Sequence, residues 1–394
     1  MGIELNSGQM ELATRLIAWK SNANSQIFVY SGPAGSGKTT VALYALELMG
    51  ISLNNVVAVA LAGKAVNVLM RSGLPAQTIH SLIYRTALVP CKDENGQPII
   101  RPDGSYKMKP SFVLKDSLSD NIKLIIVDEL SMVSDDIMSD LLSFGIPIIG
   151  MGDINQLPPI FGISSYMLHP NFFLTQIMRQ AENDPIIKIS QDILHNRPLK
   201  FGQYGNSRII NSVPLDYNLE RDYGIVLCAK NATRDRINDI IRMELHGKSR
   251  YPVMGDKVIC RQNNRNRVLD GKFLSNGTVG FIDYIDPASI TSKRCTIDFR
   301  PDYNSREIFA NLNIDRLFIA SDYDVRKEYG MANNEKFEYA YAITVHSAQG
   351  SQWDERVLFI DEPFGGYEMQ KKLRYTAVTR AVGKLDFVIG MKVE

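Results

Sequence analysis

Gly32-Pro33-Ala34-Gly35-Ser36-Gly37-Lys38-Thr39 fits the pattern G-x-x-x-x-G-K-[ST]. Residues 27–30 before it, Ile-Phe-Val-Tyr, are apolar and β-prone and read as a buried strand; residues 40–48 after it read as a helix. A strand, a glycine-rich loop and a helix N-terminus in that order turn backbone N–H groups and the helix dipole onto a phosphate. Gly32, Gly35 and Gly37 let the chain wrap closely, with Ser36 and Thr40 in the same cradle. Lys38 then reaches the β- and γ-phosphates, and the Thr39 hydroxyl is placed to ligate Mg²⁺. The flanking strand and helix argue against a plain glycine-rich turn, so the chain is expected to bind ATP or another nucleoside triphosphate.

Working outward, residues 27–31, 56–60, 124–128 and 147–150 read as strands, alternating with helical patterns at 9–21, 39–49, 64–72 and 134–143. That alternation predicts an α/β fold with a parallel sheet. From about 90 to 112 the rhythm breaks at Pro90, Asn95-Gly96, Pro98, Pro102, Asp103-Gly104 and Pro110, a short hairpin-like insert. A second α/β region carries a strand at 224–229 and a helix at 233–247. Short strands between turns interrupt it from about 254 to 335, a small β-barrel-like insert, before it resumes at 340–345, 356–360 and 386–389. The expected units are residues 1–175 and 176–394, one insert in each.

The 394 residues give ample length for buried cores. A formal net charge of +1 excludes a generally polycationic binder and leaves room for a local basic groove. Cys91, Cys228, Cys260 and Cys295 are far apart with no CxxC pair, which with five scattered histidines argues against a structural metal and fits a reducing compartment. No basic segment followed by a long apolar run opens the chain, and no apolar run approaches a membrane span. A soluble cytoplasmic protein without membrane partners is expected.

Leu124-Ile125-Ile126-Val127-Asp128-Glu129 is an apolar strand ending in two carboxylates. At the C-terminal edge of the sheet, beside the phosphate loop, Asp128 would hold Mg²⁺ and Glu129 would orient and deprotonate the attacking water. Read alone, two acids after a strand are also a common helix cap. Gly152-Asp153-Ile154-Asn155-Gln156-Leu157-Pro158-Pro159 follows the next strand. Gln156 can bond both the attacking water and the γ-phosphate, and the two prolines stiffen the exit.

In order, GPAGSGKTT, LIIVDELSM, GDINQLPP, LTQIMRQ (174–180), YAITVHSAQGSQW (341–353) and RYTAVTRA (374–381) resemble the superfamily 1 helicases, specifically the 1B branch with its RecD-like and phage Dda-like DNA helicases. The resemblance runs from Gln9 to Ala381. It implies two RecA-like P-loop domains with ATP in the cleft between them and single-stranded DNA across both. It also implies that Gln9 reads adenine, that Arg179 and Arg380 point at the γ-phosphate beside Lys38, Glu129 and Gln156, and that Gln349 and Gly350 face the nucleotide. By the same resemblance Thr344 and His346, with Val345 between them, touch the DNA backbone, as do Gly63, Lys64, Ser81 and His80; His80 fits a structural histidine equally well.

The chain departs from the family pattern in three places. Leu61-Ala62 stand where Pro-Thr is usual, Ser347 replaces a common Lys, and Gln352 replaces Glu. None touches the hydrolytic core, so ATP hydrolysis is expected to survive. Leu274-Ser275-Asn276-Gly277-Thr278-Val279-Gly280 resembles the family's turn into the second insert. Lys257, Arg261, Arg265, Arg267 and Lys272, with Asn263-Asn264, form a strand-binding patch or a solvated basic loop. Pro90, Pro98 and Ile99-Ile100 suit a wedge, and Tyr84 and Phe112 are either base-stacking or core.

The function expected is a 5′-to-3′ DNA translocase and helicase using ATP and Mg²⁺ on single-stranded and tailed duplex DNA, as a monomer. An ATP-gated nucleic-acid-binding regulator, a translocase without efficient unwinding, and an RNA helicase remain alternatives.

Overall fold

The computed structural model describes residues 5–22, 24–91, 97–175, 184–213, 218–247, 249, 251–269, 272–291, 293–302, 306–320 and 335–390. In the first half lie β1 (Ile27–Ser31), β2 (Val56–Ala60), β3 (Ala76–Thr78), β4 (Tyr84–Pro90), β5 (Met108–Leu114), β6 (Leu124–Val127), β7 (Ile148–Gly152) and β8 (Phe172–Phe173). Six of these form an all-parallel sheet in the order β3-β2-β6-β7-β1-β8. Strands β2, β6 and β7 are buried along their whole length, with no polar alternation, because helices cover both faces.

On one face α1 (Ser7–Asn22), α2 (Lys38–Leu48) and α3 (Gly63–Arg71) pack Leu12, Leu16, Val41, Ala45 and Leu69 onto the sheet. On the other, α4 (Ile79–Ile83) and α5 (Asp135–Leu142) bring Ile79, Ile83, Met138 and Leu141, with the short α6 (Ser165–Leu168) beside them. Strands β4 and β5 leave this sheet as a two-stranded ribbon, paired from Tyr84↔Leu114 to Pro90↔Met108. It starts at Tyr84, ahead of the first turn signal. Tyr84 to Val89 is strand-prone, and Pro90 is tolerated where a ribbon has no third strand to serve. The Tyr84 hydroxyl bonds Asp140 Oδ2 at 2.5 Å, tying the ribbon's foot to α5.

The second half opens with α7 (Pro185–Leu194), β9 (Gly202–Tyr204), β10 (Ser207–Ile210), β11 (Ile225–Cys228) and α8 (Asn231–His246). After them come β12 (Lys257–Cys260), β13 (Asn264–Leu269), β14 (Lys272–Leu274), β15 (Val279–Ile285), β16 (Arg294–Pro301), β17 (Phe309–Asp315), α9 (Arg316–Ala320) and β18 (Phe337–Tyr339). It closes with β19 (Ala342–Thr344), α10 (Val345–Ala348), β20 (Arg356–Asp361), α11 (Tyr367–Val378) and β21 (Lys384–Ile389). A second sheet runs β19-β11-β20-β21-β10-β9, parallel except for the edge hairpin β9–β10. Ile189 and Ile193 of α7 and Leu373 and Ala377 of α11 cover Phe359 and Phe387 on one face; Ile237 and Ile241 of α8 cover the other.

Between β11 and β19, five antiparallel strands run β17-β16-β15-β12-β18 around Phe299, Phe309, Leu312 and Phe337. A single bridge, Ile314↔Glu335, joins the β17 edge to the chain entering β18, so this small sheet curls nearly shut. No helix among the described residues is long and apolar enough to cross a membrane.

Candidate nucleotide site between the two halves

Strands β6, β7 and β1 are neighbours, so the loops leaving their C-terminal ends converge. The loop after β1 is the glycine-rich one. Gly37 sits at φ 77° immediately before α2, a left-handed conformation that favours glycine. A Cβ on Gly32 would lie 2.5 Å from Ser36 Oγ and 2.9 Å from Leu174 Cβ, so only glycine lets the loop close this tightly. Lys38 Nζ lies back over the loop, donating to Gly32 O at 2.8 Å and Pro33 O at 3.1 Å. Thr39 and Thr40 occupy the first turn of α2, half-buried. Gln9 is held against the loop: its Nε2 donates to Ser36 O at 2.9 Å and its Oε1 accepts from Asn6 N at 3.0 Å.

The loop after β6 carries Asp128 and Glu129. Glu129 adopts φ 50°, ψ 43°, and its N–H donates to Asp128 Oδ1 at 2.8 Å. The left-handed turn costs a residue with a side chain about 1 kcal/mol, and it ends the strand's alternation so that both carboxylates stay at the sheet edge. Burial, then the neighbouring Glu129 charge, push the Asp128 carboxyl up to about 7 against the opposing pull of the Lys38 ammonium.

Three buried side-chain atoms around these loops, Ser36 Oγ, Ser131 Oγ and Gln156 Oε1, have no hydrogen-bond partner. An unpartnered buried polar atom costs about 1–3 kcal/mol, so three at one sheet edge mark a place built for a polar ligand. That observation and the oxygen donors Thr39 and Asp128 fit a magnesium nucleotide.

The loop after β7 crosses to the second half. Tyr375 Oη donates to Asp153 Oδ2 at 2.6 Å, and Lys372 Nζ donates to Ile154 O at 2.9 Å. Leu157 N donates to Thr376 Oγ1 at 2.9 Å, and Gln349 Nε2 donates to Leu157 O at 3.1 Å. Four hydrogen bonds thus clasp residues 153–157, with Gln156 in the middle, to α11 and the segment after α10. Arg380 is buried just beyond α11, its guanidinium bonded to Thr376 O, Ser351 O and Thr379 Oγ1. Arg179 lies outside the described residues.

The residues expected at DNA occupy two settings. Gly63 and Lys64 open α3 at the contact between the halves: a Cβ on Gly63 would meet Ser275 Cβ at 2.2 Å, and Lys64 Nζ lies 5.1 Å over the Trp353 ring. Gly350, at φ 72°, packs on Ala65 in the same seam. Burial lowers the Lys64 pKa, partly offset by Asp302. His80 is half-buried, 5.3 Å from the Tyr84 ring and 5.5 Å from Phe112, which is 64% exposed. Burial lowers its pKa. Ser81 Oγ bonds Gln77 Oε1 at 3.0 Å.

Thr344 Oγ1 and Ser347 Oγ are 3.0 Å apart at the start of α10, and burial lowers the pKa of His346 beside Phe364. Of the basic run, Arg261 pairs with Glu338 at 2.5 Å, Arg267 with Glu335 at 3.5 Å, and Lys257 turns inward to the Gly224 carbonyl. The described cations of that run are therefore engaged within the fold. The side chains of Arg265 and Lys272 lie outside the described residues.

Residues 4–214 match the AAA domain family. The chain belongs to that family. Residues 339–388 match the UvrD-like helicase C-terminal domain. The ATP-dependent RecD2 DNA helicase of Deinococcus radiodurans is 27% identical over 66% of this chain and 35% of its own length. The ATP-dependent DNA helicase dda of Enterobacteria phage T4 is 26% identical over 62% of this chain and 58% of its own. The chain thus spans about a third of the first of these relatives and more than half of the second. A Bacteroides Pif1 structure bound to single-stranded DNA shares the fold, with a TM-score of 0.54 at 18% identity over 98% of this chain and 92% of that one. These matches agree with the superfamily 1B resemblance carried by the motifs and with a RecA-like α/β core.

In this AAA-domain chain the sequence reading missed Lys372, Tyr375, Thr376 and Asp153 as cross-cleft groups, and Ser131 as an unpartnered hydroxyl. The available signal was position: Tyr375 and Thr376 lie on the helix that leads into Arg380, and Asp153 and Ser131 stand beside residues already singled out.

Proposed function

We propose that this chain is an ATP-driven translocase on single-stranded DNA that moves 5′ to 3′ and separates a duplex ahead of it. The observation that carries the reading is the clasp: the loop holding Gln156, beside the phosphate loop, is bonded to the same helix that leads into Arg380. A nucleotide gripped there is sensed by both halves at once. The names of the RecD2 and dda relatives and the single-stranded DNA in the Bacteroides Pif1 structure support the choice of DNA.

In this reading Lys38 leaves the Gly32 and Pro33 carbonyls for the phosphates, and Glu129 takes the proton of the attacking water. Gln156 Oε1 finds its partner in that water or in the γ-phosphate. Arg380 and Arg179 supply positive charge from the second half only when the cleft is closed, which links the chemical step to movement. Thr39 and Asp128 would hold Mg²⁺, which neutralises charge on the phosphate oxygens. Gln9, Gly35, Ser36, Gly37, Thr40 and Gly350 complete the nucleotide's surroundings. Residues 1–175 and 176–394 act as the two moving units, so one chain supplies both walls and a monomer suffices.

Thr344, His346, His80 and Ser81 contact the strand, while Gly63 and Lys64 meet it when the seam at Ser275 and Trp353 parts. The test is ATP hydrolysis with and without matched DNA and RNA strands, followed by displacement from 5′-tailed and 3′-tailed duplexes. DNA-stimulated hydrolysis with displacement from the 5′ tail alone is expected. Stimulation without displacement identifies a translocase or ATP-gated clamp, and stronger stimulation by RNA overturns the choice of substrate. Glu129→Gln should cut turnover by about 100-fold or more while nucleotide still binds; unchanged turnover refutes its role.

A further inference from the structure

The Tyr375 hydroxyl reaches across to the loop after β7 in the opposite half, donating to Asp153 Oδ2 at 2.6 Å. Tyr375 is 1% exposed and Asp153 is fully buried, so this contact lies in the dry interior of the cleft rather than at its rim. The other Asp153 oxygen accepts from Asn155 N at 3.0 Å, which fixes the carboxylate's orientation. One residue on, Thr376 receives Leu157 N through its hydroxyl and Arg380 Nε through its carbonyl. The turn that orients Arg380 is therefore anchored to the first half at Tyr375 and Thr376.

From this geometry we propose that Tyr375 is a positioning residue for hydrolysis, which sets where the Arg380 guanidinium sits relative to the phosphate loop. The inference rests on the nucleotide site proposed above and gives its cleft a specific aligning contact. The hydroxyl does not itself need to touch the nucleotide. It reads the sensor loop through Asp153, and it transmits that loop's position through one helical turn to Arg380. A buried hydrogen bond to a carboxylate is strong enough to fix such a register, and a misplacement of about 1 Å at a reacting group can cost about 100-fold in rate.

The test is Tyr375→Phe, which removes one oxygen and keeps the ring packed in the core. Steady-state ATP hydrolysis by the full chain, with saturating single-stranded DNA, should show kcat reduced about 10- to 100-fold with KM for ATP within about threefold of wild type. Equilibrium binding of a non-hydrolysable ATP analogue should be unchanged. Asp153→Ala, which removes the acceptor, should give the same split, and the double variant should be no worse than Asp153→Ala alone, because both remove one contact. A kcat equal to wild type in a folded Tyr375→Phe protein overturns the proposal. So does a fall in analogue binding that matches the loss of rate, because that marks a structural role. If Tyr375→Phe fails to fold, Asp153→Ala carries the same measurements and the same two refuting outcomes. Wild-type protein without hydrolysis fails the function proposed above, an outcome distinct from a variant that matches an active wild type.

Discussion

Asp128→Asn should make the metal-free protein more stable while abolishing its use of Mg²⁺. The Asp128 carboxyl is half-buried beside Glu129, and lost solvation together with that neighbouring charge pushes it from 3.8 up to about 7. In the unfolded chain the proton leaves near 3.8, and in the folded chain near 7, so the folded state binds more protons between those values. Stability from this group therefore falls as pH rises across that window and stays low above it. Each pKa unit is worth about 1.4 kcal/mol, so the full penalty near pH 8 is at most about 4 kcal/mol, against about 1.6 kcal/mol near pH 5.

An Asn keeps an oxygen for the Glu129 N–H, which donates at 2.8 Å, and carries no charge to desolvate. The variant should exceed wild type by about 2–4 kcal/mol near pH 8, and the gap should shrink by more than half near pH 5. Urea unfolding in EDTA at the two pH values measures it. In the presence of saturating ADP, adding Mg²⁺ should then raise wild type further and leave the variant little changed. A variant less stable than wild type near pH 8, or a gap independent of pH, would refute the reasoning.

The opposite sign is expected at Asp386, where burial raises the carboxyl's pKa but the bonds from Arg208 and Tyr223, with Arg356 nearby, outweigh it and hold it below its ordinary value. Asp386→Asn should cost about 2–4 kcal/mol at neutral pH, read by urea unfolding, because two half-buried guanidinium groups lose their fully buried counter-charge. That difference should narrow as pH falls through the ordinary carboxylate range, since the native group's contribution is present above that range and lost below it. Gly32→Ala places a Cβ 2.5 Å from Ser36 Oγ and 2.9 Å from Leu174 Cβ, so the phosphate loop must open. Nucleotide affinity should fall at least about tenfold, with about 1–3 kcal/mol of lost stability, measured by analogue titration and thermal unfolding; wild-type affinity would show that the loop is not the binding element.

What the sequence revealed tracks how far apart the interacting residues lie along the chain. The phosphate loop, the strand ending in Asp128-Glu129 and the sensor loop are contiguous patterns whose meaning needs only the next strand or helix, and the α/β alternation follows from the same local rules. The basic run starting at Lys257 was legible as charge but not as geometry: Lys257 turns inward to the Gly224 carbonyl and over the Phe281 ring, and Arg261 and Arg267 pair with Glu338 and Glu335. Nothing in the spacing of cations shows which carboxylates the fold will bring to them. The place of Lys64 over the Trp353 ring at the seam is likewise a long-range contact with no local signal.

The cross-cleft clasp is the extreme case, with Tyr375 and Asp153 separated by 222 positions and Leu157 and Thr376 by 219. Neither pair has a local signature, because a tyrosine before a helix end and an aspartate after a strand are each common. They acquire meaning only when two sheets, each satisfied in its own core, present loop and helix to one another. Leu157 seats in the apolar core of the second half, but the bonds that clasp residues 153–157 are polar: a hydroxyl on a carboxylate, an ammonium on a carbonyl, and an amide and a hydroxyl on one residue's backbone. Such contacts contribute about 1 kcal/mol each and exchange readily for water or phosphate, whereas an apolar seam of the same size would hold the halves shut. A cleft that must close on a nucleotide and reopen is served by the polar kind, which places the rigid apolar cores on either side and leaves the movable chemistry between them.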